Sequence, residues 1–214
     1  MFTGIAIILC CNLFSQQGPI TSFKKLYVPE KRWVITHPFV AKKVFRITRF
    51  AIAASDSIAA TSILDGDATG GRVDAFRHCY WMALLANEIA PRKALKLGKA
   101  HEKSNYIQFK KGRKEDGILP DSVSSVMDLY NNKEGVEMGK KSRQKTIDNK
   151  QNAAGKKQEY LKQLVIEKIK AGELMVIRKD TNGNYINCNG NIIDMQAWKG
   201  KWGIPNCLVK SNHP

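Results

Sequence analysis

The stretch "DAFRHCYWMALL", Asp74 to Leu85, decides how this chain folds. Val73, Phe76, Tyr80, Ala83 and Leu84 fall on one stripe of a helix and Trp81 and Leu85 on another, so the segment from Val73 to Ala86 is apolar on nearly every side. A helix of that kind is central and buried. Asp74 and His78 nevertheless lie one turn apart on the face that Trp81 and Leu85 continue, with Arg77 beside them. These polar groups point into protein, where an unpaired hydrogen-bonding group costs roughly 1–3 kcal/mol and an unpaired charge more. Partners must converge on them.

The flanking sequence supplies the packing elements. Upstream, the segment from His37 to about Ala60 spaces Val40, Val44, Ile47, Ala51, Ala54 and Ile58 as one helical face, with Pro38 in its first turn. "DGDATGG", Asp65 to Gly71, is a turn-rich link into the central helix. Downstream, Pro91 opens a short helix with Ala94, Leu97, Gly98 and His101 on one face, followed by a long basic loop from Lys103 to Pro120. "DSVSSVMDLYNN" predicts a third helix, capped by Asp121 or Ser122, with Val123, Val126, Met127 and Tyr130 as its apolar side and Asp128 and Asn132 opposite.

Residues 17–139 thus form a helical core that carries the polar cluster. Residues 140–157 are basic and poor in large apolar side chains, which predicts a solvated helix or linker. Residues 158–214 add an amphipathic helix and two β-prone runs about the turn signal Asn182-Gly183, a small hairpin that packs on the core. The expected fold is mainly α with a small C-terminal β-hairpin. Trp198 and Trp202 are expected to pack over that hairpin.

At 214 residues and 43% hydrophobic, the chain can bury one sizeable core. Its formal charge of +16 points to an anionic partner: an anionic polymer, phospholipid head groups or nucleic acid. The apolar block Phe2–Phe14, followed by Gln16, Gln17, Gly18 and Pro19, reads as an export signal over residues 1–16, too short for a transmembrane span. Cleavage near Ser15 or Gln16 is expected, which leaves no span in the mature protein; acylation at Cys10 or Cys11 is the lipoprotein alternative. Of the remaining cysteines, Cys79 lies in the buried helix, so Cys188 and Cys207 are the candidate disulfide, with three free thiols as the alternative.

The candidate site is assembled from three helices. Asp74, Arg77 and His78 stand on the first, His101 and Glu102 on the second, and Asp128, Asn131 and Asn132 on the third. Asp74, His78, His101 and Asp128 have the ligand types of a zinc or other divalent-metal site that activates a water. Without a metal, His78 or His101 becomes a general acid or base oriented by a carboxylate such as Asp74 or Glu102, and Arg77 stabilises an anion. Asn131, Asn132 and Trp81 are then expected to bind substrate. A purely structural network that fixes helix packing is the competing reading.

Read in order, "HPFVAKKVF", "GRVDAFRHCYWMALLANEIAPRKALKLGKAHE" and "VMDLYNNKEG" resemble a bacterial domain family of unknown function. It is built on an Asp-Ala-Phe-Arg-His-x-Tyr-Trp helix, an Ala-His-Glu helix end and a Met-Asp-Leu-x-Asn-Asn-x-x-Gly segment. The resemblance covers about His37 to Gly139. By position it implies a role for Asp74, Arg77, His78, His101, Glu102, Asp128, Asn131 and Asn132. Its members are exported proteins or terminal domains of surface and toxin-like proteins, which implies an extracytoplasmic role. The chain departs from the pattern at Cys79, where a small residue is usual, and at Val136, where a basic one is common.

The functional expectation is therefore an exported hydrolase acting on a phosphodiester or other anionic envelope substrate through the His/Asp/Glu/Arg cluster. The rivals are a non-catalytic binding module with a basic surface at Lys140–Lys157, and a nuclease-type toxin domain. Against the last, aromatic residues are not interleaved with that basic run.

Overall fold

The computed structural model describes residues 18–114, 118–149 and 154–213. The candidate export signal, with Cys10 and Cys11, lies outside them. Seven helices are present among the described residues: α1 (Pro19–Lys25), α2 (Val28–Thr36), α3 (Pro38–Ala59), α4 (Arg72–Glu88), α5 (Pro91–Lys110), α6 (Ser122–Asn149) and α7 (Ala154–Lys170). Two short strands follow, β1 (Met175–Ile177) and β2 (Leu208–Lys210). The fold is mainly α, as the periodicity predicts. Among the described residues, no helix is long and apolar enough to cross a membrane.

Helix α4 is the axis on which α3, α5, α6, α7 and β1 pack. Val73, Ala75, Phe76, Cys79, Met82, Ala83, Leu85 and Ala86 are sealed from solvent on its several sides, which is why its sequence shows no single apolar stripe. The helix begins in the Asp65–Gly71 link. Asp65 accepts the N–H groups of Arg72 and Val73, and the Asp67 carbonyl accepts that of Asp74. The otherwise orphaned first-turn donors are so satisfied by a carboxylate at the positive helix end. At the other end, Ala90 is extended before Pro91, and Arg143 of α6 donates to the Ile89 carbonyl at 3.2 Å.

Contact with α6 is closest. A Cβ on Gly135 would lie 2.1 Å from the Cys79 carbonyl oxygen, and one on Gly139 would lie 2.2 Å from that of Ala83. The two helices therefore run in the same direction, backbone against backbone, with their residues in step. This corrects the expected face of α6. Val126 (55% exposed) and Tyr130 (43%) point outward, while Met127, Asp128, Asn131, Asn132, Gly135 and Val136 are buried. The facing surface of α4 offers polar side chains at one end and bare backbone at the other, and only polar residues and glycines can meet both. Val136 belongs to that core.

Two boundaries differ from expectation. Helix α5 runs to Lys110, because Glu102, Ser104 and Asn105 turn inward and continue its buried side, so the long basic loop shrinks to the link before α6. Helix α6 runs through Asn149, so the first part of the basic stretch is helical.

Strand β1 pairs antiparallel with β2 in the register Met175 to Lys210, Val176 to Val209 and Ile177 to Leu208. The Asn182-Gly183 turn also forms, with Gly183 at φ +81° and a bridge between Lys179 and Tyr185. The ladder partner of β1 comes from much later in the chain. Cys188 and Cys207 form a disulfide, and Cys79 is a buried free thiol pushed up to about 12 by burial. Trp202 packs against Tyr106 and Phe109 of α5 rather than over the turn.

Candidate metal centre

Two turns before Gly135, the in-step register of α4 and α6 brings Asp128 beside Asp74 and His78. The Nε2 atom of His78 lies 3.5 Å from Oδ1 of Asp74 and 3.4 Å from Oδ1 of Asp128. All three residues are buried, and their candidate ligand atoms lie within 4.8 Å of one another. A tetrahedral ion with metal–ligand bonds near 2.0–2.2 Å separates its ligand atoms by about 3.3–3.6 Å, so both histidine–carboxylate spacings match such an ion.

The surrounding groups hold the triad in place. Asp74 Oδ2 accepts the Gly70 N–H at 2.7 Å, and Oδ1 accepts the Arg77 guanidinium at 2.7 Å. Gly70 has φ +90°, which favours glycine, and its carbonyl accepts the N–H of Ile177 at the end of β1. The link is tied further by Lys179, which donates to the Thr69 carbonyl and the Asp67 carboxylate. Burial holds the His78 imidazole well below its ordinary pKa, aided by the positive charge of Arg77 and of His101; the Asn132 amide acts the other way. The ring is therefore neutral at pH 7, the form that binds metal. Its Nδ1 and both ends of the Asn132 amide are buried without a well-formed hydrogen bond.

A small cleft of about 60 Å³ opens over the triad. Asp74, Arg77, His78 and Asp128 form its base, and Thr69, Asn105, Asp121 and Tyr185 stand among its walls. Asp121 caps α6 by accepting the Val123 and Ser124 N–H groups, and burial raises its pKa. Tyr185 is pushed up to about 12, first by burial and then by the charges of Asp67, Asp121 and Asp74, so it offers a neutral hydroxyl. Neither wall residue is singled out by its sequence spacing. The one available signal is the capping position of Asp121, and Tyr185 reaches the cleft only through the C-terminal fold.

The remaining candidate residues divide. His101 does not join the triad. Its Nδ1 pairs with Glu30 Oε1 of α2 at 3.0 Å, its ring centroid is 6.1 Å from that of His78, and the edge of Trp81 packs on it. Glu102 is buried and accepts from Asn105. Two residues expected to contact substrate are engaged within the fold. Asn131 has both ends of its amide on the Met175 backbone, and Trp81 donates its indole N–H to Thr48 and does not line the cleft. Both hold helices and strand together because polar groups at those depths must be satisfied internally. Asn132 sits beside His78.

A family model described as a domain of unknown function (DUF6973) matches residues 31–173. The match spans α3 to α7 and takes in all three residues of the triad. Neither a curated protein nor a solved structure matches the chain. Covering well over half of the sequence, and the whole helical frame that brings Asp74, His78 and Asp128 together, the match shows that the chain belongs to the DUF6973 family.

Proposed function

We propose that the protein is a metal-assisted hydrolase of phosphodiesters or related anionic esters, with one divalent ion held by Asp74, His78 and Asp128. The observation that carries this reading is Nε2 of the buried His78, spaced 3.5 and 3.4 Å from two buried carboxylate oxygens beneath a cleft. Bound there, an ion would supply Lewis acidity, making a water more acidic and drawing charge from the ester oxygen. Arg77 lies on the cleft floor, where its guanidinium neutralises a substrate anion. Tyr185 presents a hydroxyl that hydrogen-bonds the ester. Hydrolysis forms a bond from the water oxygen to phosphorus and breaks the bond from phosphorus to the ester oxygen. The water's proton ends on the departing alcohol. Export is the compartment that suits this chain, supported by the Cys188–Cys207 disulfide, a bond typical of oxidising environments.

Titration calorimetry with zinc and with manganese, on the parent and on Asp128→Asn, tests the ion. Hydrolysis of bis(4-nitrophenyl) phosphate tests the reaction. One ion per chain, bound at least tenfold more weakly by the variant, with chelator-sensitive hydrolysis, is the expected result. A parent that binds neither ion and releases no nitrophenol overturns the reading and leaves a polar cluster that only packs helices.

A further inference from the structure

We infer that the substrate of this cleft is a single-stranded polynucleotide, gripped beside the triad by an aromatic and basic platform at the end of α5. The inference rests on the hydrolytic reading above and names its substrate.

The last turns of α5 present Tyr106 and Phe109, and Trp202 from the C-terminal segment lies against both. Its ring centroid is 5.0 Å from each, at interplanar angles of 72° and 54°. None of the three belongs to the buried core, and Tyr106 is 43% exposed. Cations sit among the rings. Lys110 Nζ is 5.6 Å from the centroid of Tyr106, Lys111 Nζ is 5.5 Å from that of Tyr27, and Lys201 Nζ is 4.7 Å from that of Trp198. Arg113 adds a further exposed charge, and no carboxylate occurs from Lys103 to Lys114.

Two backbone links tie this platform to the elements that line the cleft. Asn105 on the cleft wall immediately precedes Tyr106, and the Trp202 carbonyl accepts the N–H of Ser122, next to the wall residue Asp121. Asp74, Arg77, His78 and Asp128 line the cleft, and a phosphodiester seated on them carries its flanking nucleotides outward along the surface. The exposed Tyr106 ring and the half-buried Phe109 and Trp202 rings supply stacking for bases, and the neighbouring cations supply contacts for phosphates, the pairing that single-stranded nucleic acid requires. A duplex hides the faces of its bases. A bilayer surface is met by a broad apolar face that sinks below the head groups, whereas here a few rings are packed against one another with cations beside them. The basic stretch of α6 lacks such rings; at the end of α5, Tyr106 and Phe109 stack at 6.5 Å and Trp202 folds back against both.

Fluorescence anisotropy of a labelled 12-mer of thymidylate, with chelator present to block hydrolysis, tests the platform on the full chain. Tyr106→Ala and Trp202→Ala should each weaken binding by roughly tenfold, the scale of losing one stacked base, and Trp202→Phe should restore most of it. Lys110→Gln with Lys111→Gln should flatten the slope of log affinity against log salt by about 1.4. Tyr106 is exposed, so its variant keeps the test decisive even if Trp202→Ala fails to fold. Parental affinity in Tyr106→Ala, or equal affinity for heparin, a polyanion without bases, overturns the proposal in favour of simple charge attraction. Binding to phosphatidylglycerol vesicles but not to the oligonucleotide overturns it in favour of a membrane surface. The two readings fail separately. Oligonucleotide binding without hydrolysis sinks the catalytic one, and diester hydrolysis without oligonucleotide binding sinks this one.

Discussion

The side-chain amide of Asn131 makes both hydrogen bonds of the Met175 backbone, donating to its carbonyl at 2.9 Å and accepting its N–H at 3.0 Å. The amide therefore acts as an extra strand partner that joins α6 to β1. It is fully buried, so no water replaces it when it is removed. Asn131→Leu should cost about 2–4 kcal/mol, the scale of leaving two backbone groups unsatisfied, measured as a shift in the denaturant midpoint. Asn131→Asp keeps an acceptor for the N–H but sets charge against the carbonyl, and should be no better. A parental midpoint in Asn131→Leu would show that β1 is not held by this contact.

The glycines of α6 make a sharper prediction. A Cβ at Gly135 would meet the Cys79 carbonyl oxygen at 2.1 Å, and one at Gly139 that of Ala83 at 2.2 Å. Backbone cannot swing aside as a side chain does, so the helices must separate. In an exposed helix Gly→Ala gains about 1 kcal/mol. Here Gly135→Ala and Gly139→Ala should each lower stability by more than that gain. Because Asp128 reaches His78 only through the same helix contact, both variants should also weaken metal binding. Gly98→Ala meets the nearest atoms at 3.2 Å or beyond, the Asn132 amide and the flexible end of Met82, and should be the mildest of the three. Chemical denaturation of the three variants, ranked against one another, checks the order.

The central helix was legible because a segment that is apolar on nearly every side has only one place to go, and the lone polar groups Asp74, Arg77 and His78 stood out against it. Their meeting with Asp128 was legible only as residue types, since the in-step approach of α4 and α6 depends on Gly135 and Gly139, which carry no hydrophobic signal. The face of α6 was misread for the same reason. Periodicity ranks Val126 and Tyr130 as core, yet the neighbour they would need is absent and Asn131 has a strand to satisfy. His101 stood out correctly as polar on an apolar face, but its partner Glu30 lies far upstream in a stretch without a pattern of its own. Tyr185 was beyond reach because the loop that carries it is placed by the Cys188–Cys207 bond and by Lys179, not by local propensity.

Acid should loosen the contact between α2 and α5. Burial opposes ionisation of Glu30, but the hydrogen bond and charge of His101, with Ser104 and the Tyr27 N–H, outweigh it and hold its pKa below the ordinary value of 4.5. A depressed carboxylate stabilises the fold fully above its unfolded pKa, and that contribution is lost as pH falls through the folded one. The loss should thus appear below pH 4.5. Glu30→Gln should lower the melting temperature at pH 7 and reduce the slope of melting temperature against pH in that acidic window. An unchanged slope would mean that other carboxylates carry the acid sensitivity.

The two histidines now predict opposite behaviour in one experiment. His101 bonds Glu30 and packs against Trp81, outside the triad, so His101→Gln should destabilise the protein by about 1.5–3 kcal/mol, the range for hydrogen bonds to a charged group. Its effect on metal affinity should be slight. His78 places its Nε2 between Asp74 and Asp128, two buried carboxylates that gain from an ion held among the three. Removing that nitrogen should abolish the stabilisation that a bound ion gives. Thermal melts of the parent, His78→Gln and His101→Gln, each with chelator and with excess zinc, separate the roles. The parent should melt higher in zinc than in chelator, because a ligand bound only by the folded state raises its stability with concentration. His101→Gln should melt lower throughout yet keep the zinc shift. His78→Gln should lose the shift, whatever its melting temperature in chelator. If the zinc shift survives in His78→Gln and vanishes in His101→Gln, the ion sits against Glu30 and His101, and the triad is a packing cluster.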